Sequence, residues 1–164
     1  METTLMLSRG GLPPLSARGC QQELIPLSQG QFKRTINGDL IFMGAQNKKY
    51  KTIISCQDVT VIATDDLTPG TVLDVSCIQP LWQKVSGGKA MLERMPVTGS
   101  ITVINEEKIP VEILYCEGRS IDIATTDVAY VSYRPLLTMQ LISYSLKMNE
   151  WGGKSGWILE LEEV

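Results

Sequence analysis

Residues 135–164 read PLLTMQLISYSLKMNEWGGKSGWILELEEV, and this stretch decides the fold. Apolar side chains alternate from Leu137 to Leu141, and the alternation then slips by one position, so that Tyr144 belongs to a second apolar set. Because side chains alternate between the two faces of a strand, the slip indicates a β-bulge or a strand buried on both faces in turn. In the return stretch 157–162, an apolar set of side chains alternates with a second, mainly acidic set without a slip. The C-terminal residues are therefore predicted to form a long β-hairpin.

The rest of the chain carries short β-strand patterns separated by turn residues. Asn37-Gly38 stands between two β-prone runs, 32–36 and 40–43, which is the strongest short-range hairpin signal. We expect a type I′ turn there, because both residues accept the positive φ that this turn requires. No helix longer than about two turns is indicated. The pattern predicts an all-β protein built as a single small β-barrel or sandwich, closed by the C-terminal hairpin.

Residues 1–19 are expected to form an extended N-terminal arm, followed by a β-barrel or sandwich domain at 20–164. The arm contains five glycines and prolines, too many for a helix. Exposed apolar segments usually find a surface to cover, so the arm is expected either to fold onto its own domain or to lie across a neighbouring subunit. Trp151, at the glycine-flanked tip of the C-terminal hairpin, either contacts a partner or packs back over its own hairpin. The candidate interface residues are Leu5, Leu7, Leu12, Leu15 and Trp151.

Composition excludes several kinds of active site. The chain of 164 residues has no histidine, which removes histidine-based triads, histidine general bases and histidine metal sites. No lysine or carboxylate is placed by its spacing to activate a serine, threonine or cysteine nucleophile. The adjacent carboxylates Asp65 and Asp66 precede a turn and are expected in a solvated loop. We therefore expect no enzyme activity and no catalytic residue.

The four cysteines, Cys20, Cys56, Cys77 and Cys116, have no CxxC spacing and fit no zinc ribbon or clustered iron–sulfur pattern. We expect no metal and no cofactor, and four reduced thiols in a protein that folds in a cytoplasm. A disulfide or cluster assembled only in three dimensions is the alternative. The N-terminal residues lack the features of a secretory signal peptide, and no run reaches the about 18 apolar residues of a membrane-spanning helix.

Three stretches, 22–56, 69–81 and 133–164, resemble small structural tail proteins of bacteriophages with long non-contractile tails. The resemblance implies a virion protein of the baseplate region, located at the distal tail or tail tip and assembled in the host cytoplasm. It implies a homo-oligomeric ring of three or six subunits that joins the tail tube to the tip complex. The implied partners are further copies of the chain and other tail proteins, namely the tail tube and the tail-tip hub. No functional residue is carried over by it.

The alternative function is a small-barrel binding module for oligosaccharide or single-stranded nucleic acid. Such barrels use an aromatic and basic sheet face. The net charge of −3 weighs against nucleic acid, whose binding depends on neutralising phosphates, and no nucleic-acid binding is expected. The residues that could form such a face are Phe32, Lys33, Arg34, Tyr50 and Lys51.

Overall fold

The structure is a computed structural model that describes residues 3–45 and 48–164. These residues form fifteen strands and no helix, which confirms the predicted all-β class. They build one seven-stranded sheet, two three-stranded sheets and one two-stranded sheet; no closed barrel is found among the described residues, and the arrangement is sandwich-like. The strands are β1 Met6–Leu7, β2 Gln21–Pro26, β3 Gln29–Arg34, β4 Leu40–Ala45, β5 Tyr50–Asp58, β6 Val72–Ser76, β7 Leu81–Val85, β8 Lys89–Met91, β9 Met95–Pro96, β10 Thr102–Asn105, β11 Ile113–Glu117, β12 Ser120–Ile123, β13 Ala129–Tyr133, β14 Pro135–Asn149 and β15 Lys154–Glu163.

The predicted C-terminal hairpin is present as β14 and β15, which lie at the centre of the large sheet. The sheet order is β1-β6-β14-β15-β5-β2, with β9 beside the start of β14. The predicted bulge is confirmed, because the register of β14 against β15 shifts between Leu141 and Ser143. Leu141 is opposite Leu161, and after the bulge Tyr144 is opposite Leu159. The extra residue thus returns the second apolar set of β14 to the face that carries the apolar residues of β15.

One face of this sheet is buried under two irregular segments, the N-terminal arm and the stretch 59–71. Leu5 of the arm is 2% exposed and packs in the core on this face. Trp157 of β15 is 1% exposed, and its indole Nε1 donates a hydrogen bond of 2.6 Å to the carbonyl of Ser16. We call this core the first cluster; its buried members are Leu5, Ala17, Ile54, Cys56, Ile62, Leu67, Leu73, Val75, Cys77, Leu137, Met139, Leu141, Trp157, Leu159 and Leu161.

The end of the arm is held to β5 by an ion pair. The guanidinium Nη2 of Arg18 lies 2.7 Å from a carboxylate oxygen of Asp58, and the backbone nitrogen of Arg18 donates to the other oxygen at 3.0 Å. The side-chain hydrogen bond from Arg18 holds the pKa of Asp58 well below its usual range. Residues 3–19 therefore fold onto their own sheet. Residues 1 and 2 of the predicted arm lie outside the described residues, and the division of the chain at residue 20 stays a prediction.

A second cluster lies between the two three-stranded sheets, which are inserted between β6 and β14. One sheet has the order β10-β13-β7 and the other β11-β12-β8. Both contribute side chains to a separate core, so this part of the chain is a small sandwich. Its buried members are Val85, Ala90, Leu92, Val103, Ile121, Ile123, Ala129, Val131 and Tyr133.

Arg94 connects the two clusters. Its Nε donates to Glu163 of β15 at 2.8 Å, and its backbone nitrogen donates to the hydroxyl of Tyr133 at 3.2 Å. Glu163 also accepts a 2.9 Å hydrogen bond from the backbone nitrogen of Tyr50. Because each donor and acceptor here has a partner from another strand, the small sandwich is anchored to the end of the large sheet.

We predict that Trp157→Phe destabilises the fold by about 1–3 kcal/mol, because it leaves the buried Ser16 carbonyl without a donor. The measurement is the free energy of unfolding in urea. The matched control is Trp151→Phe, a change at a 94% exposed side chain, for which we expect less than about 0.5 kcal/mol. Equal effects of the two substitutions would contradict the role of the indole hydrogen bond.

We also predict an acid-sensitive contribution from Asp58. A carboxyl whose pKa is lowered in the folded state stabilises the protein fully above its unfolded pKa near about 4, and this stabilisation is lost as the pH falls towards the folded value. The melting temperature measured from pH 7 down to pH 2 should therefore fall less steeply below about pH 4 in Asp58→Asn than in the wild type. Asp127→Asn, at an exposed bend, is the control and should keep the wild-type slope.

Candidate functional site

The most exposed apolar element of the described chain is the hairpin formed by β3 and β4. Among the described residues these two strands pair only with each other, and they form a sheet of their own. Phe32 is 68% exposed, and Ile36, at the turn, is fully exposed. An isolated two-stranded hairpin is at best marginally stable in water, and it is not expected to present large apolar side chains without a partner. The exposed apolar residues of the hairpin are Phe32, Ile36, Leu40, Ile41 and Met43.

Apolar side chains lie on both faces of the hairpin. Phe32 is opposite Phe42 on one face, with ring centroids 5.2 Å apart, and Lys33 is opposite Ile41 on the other. The run Leu40-Ile41-Phe42-Met43 shows this in the sequence, because four consecutive apolar residues on a strand must supply both faces. Other segments of a chain can cover both faces of such a strand, but neither core cluster contains a residue of this hairpin. This run was the sequence signal for an exposed apolar hairpin, and the sequence analysis missed it.

The base of the hairpin depends on two glycines that face each other. Gly30 is opposite Gly44, and neither has room for a Cβ: at Gly44 it would overlap the Cα of Gly30, and at Gly30 it would overlap the ring of Phe42. An aromatic ring over a strand glycine covers the main chain that the glycine leaves bare. The close approach shows that the hairpin has a defined packing of its own.

The turn of this hairpin differs from the predicted type I′ turn. Gly38 has a φ of 88°, but Asn37 does not have a positive φ. The backbone nitrogen of Thr35 donates to the carbonyl of Asp39 at 2.9 Å, and Gly38 donates to Thr35 at 2.9 Å. This is the three-residue loop in which a single left-handed residue follows a type I turn, and one glycine is enough for it.

The second exposed element is the outer part of β14, residues 142–149, which we call the open edge. At Leu141 the strand still has a neighbour on each side, because the Leu141 nitrogen donates to the carbonyl of Thr71 at 2.8 Å and Leu141 is opposite Leu161 of β15. Beyond this point β14 pairs only with β15 in the part of the chain that the structure describes, so its other edge is unpaired. The apolar residues along the open edge are all exposed: Ile142, Tyr144, Leu146 and Met148.

The open edge is a continuation of the buried face of the sheet. Leu146 is opposite Trp157, and Tyr144 is opposite Leu159. Trp157 and Leu159 are covered by the first cluster, whereas Tyr144 is 37% and Leu146 is 44% exposed. The cover provided by the arm therefore ends one strand short of the edge. An incoming strand or hairpin could complete both the main-chain pairing and the apolar packing.

Some of the charged side chains near the two elements have partners. On the hairpin, Nη1 of Arg34 donates to the carbonyl of Gly38 at 2.9 Å, and Lys33 is exposed. On β5, Lys51 forms an ion pair with Glu160, which raises the pKa of Lys51 and lowers that of Glu160. Main-chain pairing and apolar contact, rather than a charged patch, are what these elements offer to a partner.

The predicted interface residues fall in different environments, and their role between subunits stays a prediction. Leu5 is buried in the first cluster, Leu7 and Leu12 are half-buried against it, and Leu15 is 46% exposed. Trp151 is 94% exposed at the tip of the C-terminal hairpin, so it does not pack back over that hairpin.

The residues proposed for an oligosaccharide or nucleic-acid face are separated. Phe32 and Arg34 lie on one face of the β3–β4 hairpin and Lys33 on the other. Tyr50 lies on β5 with the guanidinium of Arg94 5.9 Å from its ring centroid, and the neighbouring Lys51 is paired with Glu160. The five residues therefore do not form one aromatic and basic surface.

A shallow groove of about 460 Å³ runs across the outer face of β5 and β15. The side chain of Trp157 belongs to the buried face of the sheet, so the described residues that line this groove offer no exposed aromatic ring to stack on a sugar or a base. The residues that line it are Gly19, Gln21, Ser55, Cys56, Gln57, Ser145, Lys147, Gly156, Trp157 and Ile158.

The described residues contain no group of three or more histidine, cysteine or acidic side chains that could hold a metal ion. Asp65 and Asp66 lie in an exposed turn as predicted, and Asp66 accepts a 2.6 Å hydrogen bond from the backbone of Gly10. Cys77 is buried and Cys116 is exposed, whereas Cys20 and Cys56 lie together. Among residues 3–45 and 48–164, no helix is long and apolar enough to cross a membrane.

Three comparisons, with protein-family models, with curated proteins and with solved structures, find no match to this chain.

Proposed function

We propose that this protein is a structural component of the virion of a bacteriophage with a long non-contractile tail. It assembles in the host cytoplasm into a homo-oligomeric ring at the distal tail or tail tip, where it joins the tail tube to the tip complex. Two of the stretches that resemble such proteins, 22–56 and 133–164, contain the β3–β4 hairpin and the open edge. The observation that carries the proposal is that one chain has both of these unpartnered elements.

The β3–β4 hairpin is the donor in this proposal. Its two strands, each of six residues, have unpaired outer edges in the described part of the chain, and apolar side chains lie on both faces. Full burial of one large apolar side chain contributes roughly 1.5–3 kcal/mol. Five such side chains on the hairpin can offset the cost of association and of ordering the hairpin.

The open edge of another copy is the acceptor. Its eight residues, 142–149, can pair with a strand of six by main-chain hydrogen bonds. Donor and acceptor are different surfaces of one chain, so the contact is heterologous. A heterologous contact gives a ring when its rotation closes and a filament when it does not.

The alternative of an oligosaccharide or single-stranded nucleic-acid binding module has less support. The described residues that line the outer groove include no exposed aromatic side chain, and the residues proposed for a basic face are separated. A salt-dependent affinity for single-stranded nucleic acid would favour this alternative over the ring.

We predict that the purified protein forms a discrete multimer of three or six subunits, measured by light scattering after size exclusion across a concentration series. Ile36→Lys should shift the multimer to monomers, because a lysine at the tip of the hairpin must be desolvated in the contact. Ile36 is fully exposed, so the melting temperature of the monomer should not change. Ile109→Lys, at another exposed turn, is the matched control and should leave the multimer intact.

We predict that Met148→Lys on the open edge also gives monomers, with Met91→Lys on β8 as the control of similar exposure. An equimolar mixture of Ile36→Lys and Met148→Lys should then form dimers, since the intact hairpin of one variant can meet the intact edge of the other. If the mixture stays monomeric, the hairpin and the edge do not bind each other.

The role in the virion has its own test. In the phage that encodes the chain, antibodies against the protein should label the distal end of the tail in electron micrographs, and negatively stained multimers should appear as closed rings. Label on the capsid, or filaments in place of rings, would contradict the proposed role.

A further inference from the structure

Cys20 and Cys56 face each other where the N-terminal arm meets the large sheet. In the ladder between β2 and β5, Gln21 is opposite Ser55, and one further step places Cys20 opposite Cys56. The pKa of Cys56 is raised first by burial and then by the neighbouring Cys20 thiol. Both are free thiols. Two cysteines far apart in the sequence thus form a cross-strand pair.

The ladder also determines which kind of pair this is. The backbone nitrogen of Leu27 donates to the carbonyl of Lys49 at 2.8 Å, so these residues form a hydrogen-bonded pair. Hydrogen-bonded and non-hydrogen-bonded pairs alternate along an antiparallel ladder, and the register between β2 and β5 is uninterrupted. Cys20 is seven positions from Leu27, an odd number, so Cys20 and Cys56 occupy a non-hydrogen-bonded position. In such pairs the Cα atoms are about 4.5 Å apart, within the range that a disulfide spans.

The two thiols differ in access to solvent. Cys20 is half-buried, and its Sγ donates to the carbonyl of Ala17 at 3.1 Å. Cys56 is 5% exposed, and its Sγ donates to the carbonyl of Arg18 at 3.3 Å. Burial is the main reason that the pKa of Cys56 is raised to about 12. Because the thiolate is the reactive form, a reagent in solution will react first with Cys20.

We propose that Cys20 and Cys56 form an intramolecular disulfide when the chain meets a low-molecular-weight disulfide such as oxidised glutathione. The Cys20 thiolate attacks one glutathione sulfur, which forms a mixed disulfide and releases one glutathione thiolate. Cys56 then loses its proton and attacks Sγ of Cys20, and the second glutathione leaves. The two protein thiols are oxidised by two electrons, and oxidised glutathione is reduced to two glutathione molecules.

The disulfide links the arm covalently to the large sheet, close to the contacts that hold the arm on the sheet. Cys20 follows the arm segment that carries Ser16 and Arg18, and Cys56 lies on β5 directly opposite Trp157 of β15. The cross-link also closes the base of the segment that contains the β3–β4 hairpin. A cytosol keeps such thiols reduced, so in a virion, as proposed above, the link would form after release from the host cell.

The test uses the full chain with Cys116→Ser, which removes the exposed thiol that could link two molecules. The reduced protein is incubated with oxidised glutathione, unfolded, alkylated and analysed by mass spectrometry. We expect the loss of two hydrogens, a linked peptide pair containing Cys20 and Cys56, and an alkylated Cys77. The melting temperature should rise by about 5–10 °C and return to its starting value on reduction.

The matched variant adds Cys20→Ser and should show an alkylated Cys56 and no rise in melting temperature. A Cys20–glutathione adduct that persists while Cys56 stays alkylatable would overturn the proposal. A cross-link to Cys77 in place of Cys56 would overturn it as well. Neither outcome tests the proposed homo-oligomeric ring, because the experiments on the ring change other residues.

Discussion

The hydrogen bond from the indole of Trp157 to the carbonyl of Ser16 is the contact on which the rest of the structure depends. Both groups are buried, and leaving such a carbonyl without a donor costs about 1–3 kcal/mol. The bond joins the N-terminal arm to the return strand of the C-terminal hairpin, at opposite ends of the chain. The arm can then cover the apolar face of the sheet, which no helix covers in the described residues. The Arg18–Asp58 ion pair holds the arm just beyond this point.

The same cover explains why one edge of the sheet stays exposed. The arm and the stretch 59–71 bury Trp157 and Leu159, but the facing residues of β14 extend beyond them and stay exposed. The open edge is therefore supported by β15, a strand whose other neighbour is β5. In the proposed ring, an edge held in this way needs little ordering on association, which lowers the cost of the contact.

The local features of the fold could be predicted, whereas the candidate site largely could not. The slip after Leu141 predicted the bulge, and Asn37-Gly38 predicted a hairpin, because both signals arise from neighbouring residues. The prediction of a type I′ turn was wrong. Of the two turn residues only Gly38 is in the left-handed region, and a three-residue loop closes the hairpin. The pairing of β15 with β5, and the meeting of Cys20 with Cys56, join residues too far apart for any local pattern to specify.

By itself, the sequence determined that the chain is all-β, where its C-terminal hairpin lies, and that no histidine chemistry is open to it. Only the tertiary structure decided which apolar strands are buried. Leu137 and Phe32 are both apolar residues of β-prone runs, yet Leu137 is 1% exposed and Phe32 is 68% exposed. The physical reason is that the alternation of side chains defines the two faces of a strand, whereas burial depends on which distant segment covers each face. The arm reaches Leu137 and its neighbours, and no segment of the described chain covers Phe32.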